Sequence, residues 1–317
     1  MTDLSERATA SSPVTETGLD VVPLAGYIGA EIRGVDLRGD LEPSVVEEIR
    51  GALHTHKVIF FRDQEIGHAE QIAFARRFGR VTPAHPHEEE PPEGFPEILP
   101  IDSRRYERHL GRKRTSYDNS WHTDVTALVN PPAASILRAH ILPPYGGDTA
   151  WTNLVAAYEN LPKELREFAD KLDIKHQFNT RAVAGSQRDR KVREANLVAY
   201  HPAVRVHPVT GERALFVSPG FTRGAREIRG FSPSQSEAIL KLFWEEATRT
   251  EFTVRFRWAP GSVAFWDNRA TAHLAIPDAG HLDYDRVLYR VTLEGDIPKG
   301  VDGRESELVS GEPFHGS

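Results

Sequence analysis

The chain has no cysteine, and this absence limits the chemistry open to it. Neither a disulfide framework nor a thiolate metal site is possible, so any bound metal must be held by nitrogen and oxygen ligands. Because disulfides are typical of oxidising compartments, a chain without cysteine is expected by default to be cytoplasmic.

An excess of positive charge and long apolar runs are also missing. The chain carries 39 Lys and Arg against 46 Asp and Glu, a net charge of −7. No nucleic acid partner is expected, because phosphate binding needs clustered Lys and Arg. No apolar run is long enough to cross a bilayer, and residues 1–17 are polar and lack the apolar core of a signal peptide. We therefore expect no membrane partner and a disordered leader over residues 1–17.

What is present is the composition of one large globular domain, with 39% hydrophobic and 27% charged residues in 317. We expect residues 18–317 to form a single domain. Strand-like segments follow one another closely in the C-terminal third, at 252–258, 262–266, 271–276 and 287–293. Closely spaced strands with helices between the earlier ones predict a sandwich or jelly roll with helices packed outside it.

Two regions interrupt this regular pattern. Residues 82–118 begin with a Pro-, His- and Glu-rich stretch, in which His85-Pro86-His87 suits an exposed turn, and continue into the Arg- and Lys-dense stretch 104–114. Residues 179–200 are charged and interrupted by Gly and Ser. Both regions are interpreted either as solvated loops or as lids near the mouth of a site, and the sequence leaves these alternatives open.

The stretch 121–126 carries two groups that can bind a metal. Its Val, Thr and Trp residues favour an extended backbone, and in a strand His122 and Asp124 would point to the same face. An imidazole and a carboxylate, joined by a second imidazole from elsewhere, make up the facial triad of non-haem Fe(II) oxygenases. The block 266–273 ends in His273, which could supply that second imidazole.

Four blocks stand in a fixed order along the chain: 121–126, 143–151, 265–273, and Arg286 followed by Arg290. Together they resemble the taurine/alkylsulfate/aryloxyalkanoate (TauD/TfdA-like) family of Fe(II)- and 2-oxoglutarate-dependent dioxygenases, over nearly the whole chain. The resemblance implies a mainly β fold with flanking helices and a double-stranded β-helix (jelly roll, cupin-like) core.

The resemblance also implies the roles of particular residues. His122, Asp124 and His273 match the family's catalytic iron ligands. Arg286 matches the arginine that binds the distal carboxylate of 2-oxoglutarate, and Thr149 matches the hydroxyl that assists it. A planar guanidinium can indeed grip a carboxylate with two parallel hydrogen bonds.

Substrate contacts follow less directly, and three residues are assigned to them: Arg290, Asn119 and His85. Arg290 would pair with an anionic group. Taurine-specific relatives carry a His-Pro-Val-Tyr-Pro-His loop whose first His and Tyr contact the sulfonate, and residues 82–87 here do not reproduce that pair. A larger or differently shaped substrate than taurine is therefore the hypothesis.

The activity implied is hydroxylation of a C–H bond in a small anionic organic substrate, such as an alkylsulfate, sulfonate or carboxylate. Fe(II), 2-oxoglutarate and O2 would be required, with release of succinate and CO2. One alternative is the same cofactor chemistry on a larger carboxylate or amino-acid-derived metabolite, with desaturation or another outcome. A zinc hydrolase or a silent binding protein on the same scaffold are alternatives from other classes. A homo-oligomer, dimer or tetramer, is expected.

Overall fold

A computed structural model of the protein describes residues 18–87, 90–111, 120–178 and 187–316. The leader predicted over residues 1–17 lies outside these ranges, as do parts of both predicted lid regions. The strands are β1 (Asp20–Pro23), β2 (Ala30–Arg33), β3 (Val58–Phe61), β4 (Leu99–Asp102), β5 (Ala134–Ile141), β6 (Thr149–Asn153), β7 (Asp173–Gln177), β8 (Val198–Pro202), β9 (Val204–Val206), β10 (Arg213–Leu215), β11 (Thr253–Phe256), β12 (Val263–Asp267), β13 (Thr271–Ala275), β14 (Val287–Leu293) and β15 (Glu307–Ser310).

The helices are α1 (Pro43–His56), α2 (His68–Arg76), α3 (Ser103–Leu110), α4 (Leu154–Glu159), α5 (Lys163–Ala169), α6 (Gln187–Ala195), α7 (Pro219–Ala225) and α8 (Pro233–Ala247). Local sequence explains several of their starts. The Ser232 hydroxyl accepts a hydrogen bond from the Gln235 N–H, and the Gln235 side-chain oxygen accepts one from the Ser232 N–H, a capping box that begins α8. The Asp102 carboxylate caps α3 by accepting from Arg104 N–H.

A large sheet of seven strands forms one wall of the protein, in the order β1-β2-β3-β12-β5-β14-β4. Its neighbouring strands are antiparallel except for β2 and β3. The apolar run 58–61 is buried at every position because β3 is covered on both faces. Helices α1 and α2 pack on the outer face through an apolar cluster that includes Ile49, Ile72 and Phe265.

A smaller sheet, in the order β11-β6-β13, faces the inner side of the large one. Aromatic side chains fill the space between them. Phe60 of the large sheet stacks on Phe256 of the small one with ring centroids 4.0 Å apart, and Trp151 contacts the ring of Trp266 at 5.6 Å. Two packed sheets with helices outside are the predicted jelly roll, and that prediction is confirmed.

Some local predictions were wrong. Part of the basic stretch 104–114 was expected to be irregular, yet α3 occupies it as far as Leu110. The stretch 179–200 likewise contains α6 and the start of β8. His85 and His87 were assigned to an exposed turn, but both are buried and pack against the ring of Phe178. The two histidines are buried because they pack against Phe178, which is distant in sequence. Local composition could not reveal that contact.

Candidate metal centre

His122 and His273 face each other across an isolated antiparallel bridge. The His122 N–H donates to the His273 carbonyl at 2.9 Å, and the His273 N–H donates to the His122 carbonyl at 2.7 Å. Residues paired in this way project their side chains on the same side. The centroids of the two imidazole rings accordingly lie 4.2 Å apart. His122 is in a loop and His273 is in β13, 151 positions later in the chain.

The chain does not continue as a strand after His122, so the predicted extended segment 121–126 is wrong. Only the single bridge at His122 is extended; a turn follows, and Val125 adopts a positive φ of 45°. Thr123 fixes the turn because its N–H donates to Ser218 Oγ at 3.0 Å and its hydroxyl donates to the Thr271 carbonyl at 2.7 Å. The turn still carries Asp124 to the two imidazoles, with its Oδ1 3.9 Å from His273 Nε2.

These three side chains form a set of metal-competent donors. One ligand atom from each lies within 4.8 Å of the others. His122 Nδ1 lies 2.9 Å from the Ser120 carbonyl, which fixes the ring and leaves Nε2 for a metal. The ring of His273 is oriented by packing instead, against Trp266 at 4.9 Å, and within the described ranges its buried Nδ1 has no hydrogen-bond partner. Two imidazoles and one carboxylate fit Fe(II) in a facial arrangement.

Electrostatics keep the donors in the protonation states that a metal needs. Burial would raise the pKa of Asp124, but the Arg290 guanidinium and the two imidazoles outweigh it and lower the pKa to about 2. Burial lowers the pKa of His273 well below its usual range, and the neighbouring His122 lowers it further. At neutral pH the site therefore offers a carboxylate and a neutral His273 imidazole, which are the ligating forms.

The Arg290 guanidinium contacts the Asp124 carboxylate directly, through Nη1 and Oδ1. Both side chains are buried, and Arg290 Nε has no hydrogen-bond partner among the described residues. An unsatisfied donor on a buried cation is costly and is relieved by an anion. Arg290, which was assigned to substrate binding, thus lies beside the metal-competent set, and its Nε can still donate a hydrogen bond.

A second buried guanidinium lies at the start of β14. Arg286 Nε donates to the Gly147 carbonyl at 2.8 Å, and Nη2 lies 3.5 Å from Thr149 Oγ1. Within the described ranges Arg286 makes no salt bridge, and burial lowers its pKa to about 10. The Trp258 indole N–H donates to Thr149 Oγ1 at 3.0 Å, which leaves the Thr149 hydrogen free to point elsewhere. A cationic group without its own carboxylate fits a carboxylate ligand.

Gly147 makes room for this guanidinium. Its φ is +69°, a left-handed conformation, and a Cβ built there would stand 2.9 Å from Arg286 Cδ. Thr149 pairs with Ala275 on β13, two positions from the pair formed by Trp151 and His273. Alternate pairs along a strand share a face, so Thr149 and His273 project to the same side of the small sheet.

His85 and Asn119 were also assigned to substrate binding, and only His85 lies within the described residues. His85 lies beside Phe178, which contacts Phe221 at 5.1 Å; Phe221 in turn lies 6.5 Å from the ring of His122. A row of aromatic rings therefore connects His85 to the metal-competent set. Asn119 lies outside the described residues.

A second group of possible ligands, His54, His207 and Asp267, is better explained as structure. His207 Nδ1 accepts from the backbone N–H of Val209 and Thr210, at 3.2 and 3.1 Å. Its proton must therefore sit on Nε2, which donates to Asp267 at 2.9 Å. No lone pair on His207 remains for a metal. This group was not predicted from the sequence.

The roles of three further buried residues around the site, Trp258, Gly147 and Ser135, were not predicted from the sequence. Trp258 and Gly147 shape the Arg286 pocket, as described above. Ser135 on β5 donates to Asp124 Oδ2 at 2.6 Å. A lone serine in an apolar strand carries no signal in the sequence.

Comparison with known proteins gives a consistent family. A family model described as the taurine catabolism dioxygenase TauD, TfdA family matches residues 20–292. The chain is 42% identical over 316 residues to an alpha-ketoglutarate-dependent sulfate ester dioxygenase of Pseudomonas putida, covering 96% of this chain and 99% of that one. It is 39% identical over 301 residues to an alkylsulfatase of Acinetobacter baylyi, covering 92% and 90%. The crystal structure of a taurine dioxygenase from Burkholderia xenovorans superposes with a TM-score of 0.81 at 50% identity, covering 94% and 96%.

The fold and the comparisons define an oxidoreductase of the dioxygenase class. The chain belongs to the TauD/TfdA family. The predicted family is confirmed, and so is the predicted use of Fe(II), 2-oxoglutarate (alpha-ketoglutarate) and O2. This membership separates the chain from the zinc hydrolases considered as an alternative. None of the helices in the described ranges is long and apolar enough to span a membrane.

Proposed function

We propose that His122, Asp124 and His273 hold the Fe(II) of this dioxygenase and that Arg286 and Thr149 bind 2-oxoglutarate. The observation that carries the proposal is the buried set of two imidazoles and one carboxylate, with ligand atoms within 4.8 Å of one another. Bound Fe(II) and 2-oxoglutarate couple the activation of O2 to substrate oxidation, with release of succinate and CO2. The chain's own contribution is to keep Asp124 ionised, to grip the distal carboxylate with Arg286, and to exclude water.

The substrate we propose is a sulfate ester with an apolar chain. The relatives named as a sulfate ester dioxygenase and an alkylsulfatase support this, at 42% and 39% identity. In this chain the cation Arg290 suits the sulfate, and the buried apolar cluster formed by Val125, Leu197, Phe221 and their neighbours suits an alkyl chain. Hydroxylation of the carbon bearing the sulfate gives a product that breaks down to an aldehyde and inorganic sulfate.

The iron site is tested without turnover. Fe(II) and then 2-oxoglutarate are added anaerobically to the protein, and the visible charge-transfer absorption of the chelate is recorded. We expect a band in the wild type and none in His122→Ala. A wild-type protein that binds both without any band would contradict the assignment.

The substrate assignment is tested by assaying succinate and sulfate release on alkyl sulfates of increasing chain length, with taurine for comparison. We expect alkyl sulfates to be turned over well and taurine poorly. Arg290→Ala should raise the KM for the sulfate ester while leaving substrate-independent decarboxylation of 2-oxoglutarate largely intact. Equal loss of both reactions would show that Arg290 serves the iron centre and does not bind substrate.

We also propose that residues 18–317 act as one domain, with the segments 82–118 and 179–200 as lids over the substrate, in a homodimer or homotetramer. His85 of the first segment and Asn119, which directly follows it, would contact the substrate. The burial of His85 near Phe178 supports its placement on the substrate side. Light scattering on the purified protein tests the oligomeric state, and protection of the two segments from limited proteolysis by substrate tests the lids.

A further inference from the structure

Three buried polar side chains form a chain of hydrogen bonds that ends on Asp124. The Trp266 indole N–H donates to Asn268 Oδ1 at 2.8 Å, Asn268 Nδ2 donates to Ser135 Oγ at 2.8 Å, and Ser135 Oγ donates to Asp124 Oδ2 at 2.6 Å. Trp266, Asn268 and Ser135 are each 1% exposed or less. The donor chain, as we call these three residues, is completely enclosed by protein.

The direction of every bond in the donor chain follows from its first member. An indole N–H can only donate, so the Asn268 atom facing it must be the amide oxygen. The amide nitrogen then faces Ser135 and can only donate in turn. The Ser135 oxygen accepts that bond, and its single proton is left for Asp124. The position of one tryptophan thus fixes which way the serine hydroxyl points.

The backbone holds the donor chain in register. Trp266 of β12 pairs directly with Ser135 of β5, so both side chains leave the large sheet on the same face. The Asn268 N–H donates to the Ala133 carbonyl at 2.9 Å, which anchors the amide next to the start of β5. None of the three side chains can turn away without breaking a bond in a space that water does not reach.

The two oxygens of Asp124 are distinguished by these contacts. Ser135 donates to Oδ2, while Oδ1 accepts from Arg290 Nη1 and faces His273 Nε2 at 3.9 Å. A free carboxylate can bind a metal through one oxygen or through both. A hydroxyl donating to Oδ2 fixes the carboxylate plane and directs Oδ1 alone toward the two histidines.

We infer that Ser135, oriented by Asn268 and Trp266, is a positioning residue that holds Asp124 in single-oxygen ligation of the metal and so keeps the remaining positions open for 2-oxoglutarate and O2. This inference rests on the proposed iron site. Partners that hydrogen-bond to a ligating group typically change metal affinity by roughly 10- to 100-fold when removed.

The test uses Co(II) as a probe, added anaerobically to the full-length protein, because its visible absorption reports both affinity and coordination number. Ser135→Ala should weaken Co(II) binding roughly 10- to 100-fold and change the absorption toward a higher coordination number, because the freed Oδ2 can then bind. Ser135→Thr keeps the hydroxyl and should restore the wild-type spectrum. Trp266→Phe removes the indole donor while keeping an aromatic ring against His273, and it should shift both affinity and spectrum in the same direction as Ser135→Ala, by less.

Ser236→Ala is the matched control. Ser236 is also completely buried and its Oγ also accepts a hydrogen bond, from the Ile228 N–H at 3.1 Å, but it lies on α8. Its Co(II) affinity should equal that of the wild type. Ser135→Ala with wild-type affinity and spectrum would overturn the inference, and so would an equal loss in Ser236→Ala. Wild-type protein that fails to bind Co(II) would instead overturn the proposed iron site itself.

Should Ser135→Ala not fold, circular dichroism would show it, and Trp266→Phe then decides the question. A wild-type Co(II) spectrum in Trp266→Phe would contradict the role of the indole in directing the serine hydroxyl.

Discussion

Arg286 combines two properties that rarely occur together, complete burial and the absence of a carboxylate partner in the described part of the chain. Its Nε is held by the Gly147 carbonyl at 2.8 Å, so the outer nitrogens remain for a ligand. Burial lowers its pKa to about 10, which still leaves it fully charged at neutral pH. The Arg286 guanidinium is therefore already charged and held in position before an anion binds.

Replacing Arg286 should weaken 2-oxoglutarate binding much more than metal binding. Charge-assisted hydrogen bonds contribute about 1.5–3 kcal/mol, so Arg286→Ala should raise the Kd for 2-oxoglutarate roughly 10- to 100-fold or more. Arg286→Lys should recover little of this, because an ammonium cannot make two parallel bonds. Calorimetric titration of the Co(II)-loaded protein measures the effect. An unchanged Kd in Arg286→Ala would contradict the assignment.

Gly147→Ala should have a similar but smaller effect for a steric reason. The new Cβ would stand 2.9 Å from Arg286 Cδ and force the guanidinium to move. We expect a roughly tenfold rise in the 2-oxoglutarate Kd, corresponding to about 1.4 kcal/mol. Gly211→Ala is the control, since Gly211 has a similar φ of +73° but open space around it. Loss of stability is expected in both variants, and loss of 2-oxoglutarate affinity only in the first.

At this scale the sequence singled out the residues that we propose bind the metal and 2-oxoglutarate, and it missed those that contact and support them. His122, Asp124 and His273 could be chosen because their types are rare in combination and the surrounding blocks are distinctive. Ser135 could not, because a serine among apolar strand residues has no distinguishing pattern. Its role depends on Trp266 being opposite to it on another strand, which is a fact of register.

Among the elements, β7 and β8 carry two histidines that are completely buried, His176 and His201, with ring centroids 4.8 Å apart. Burial lowers the pKa of His201 from its usual value of 6.5 to about 4. It also lowers the pKa of His176 well below the usual value. Both are therefore neutral in the folded protein at pH values where the unfolded chain would protonate them.

The protein should lose stability on mild acidification for this reason. Below pH 6.5 the unfolded state binds a proton at His201, whereas the folded state binds one only when the pH approaches the lowered pKa of His201, about 4. The free energy of unfolding therefore falls as the pH falls through that window. A shift of this size corresponds to about 3 kcal/mol for His201 alone. Urea unfolding at pH 7.5, 5.5 and 4.5 measures it. His201→Gln should flatten the dependence, whereas replacement of the exposed His281 should not.

Element boundaries were predictable where the pattern was long and local. The strand-like segments predicted at 262–266, 271–276 and 287–293 appear as β12, β13 and β14, with ends shifted by one residue at most. The extended segment expected at 121–126 does not, because contacts of Thr123 to Ser218 and Thr271 hold a turn there. Those partners lie about 95 and 148 positions away, beyond any window of local analysis.

For the molecule as a whole, a metal at the proposed site would join parts of the chain that are far apart in sequence. Binding to the folded state alone stabilises it by about 2.7 kcal/mol at a metal concentration of 100 Kd. We expect Mn(II) or Co(II), added anaerobically, to raise the Tm by a few °C, roughly as this energy predicts for a domain of this size. Scanning calorimetry measures the shift.

His273→Ala should abolish the metal-dependent shift in Tm, and His281→Ala should retain it, since His281 is an exposed histidine in the loop that follows β13. A shift that persists in His273→Ala would indicate that the metal stabilises the protein from a different location.

The two backbone hydrogen bonds between His122 and His273 also determine where the chain can change in length. Because the position of each ring depends only on which residues pair across the bridge, added residues within 276–284 leave the pair intact. One residue inserted between Thr271 and His273 would instead turn the imidazole to the opposite face. Insertions and deletions are therefore tolerated in the loops that surround the pocket and forbidden in the short paired segments. Growth of these loops would reshape the pocket without moving the two paired imidazoles.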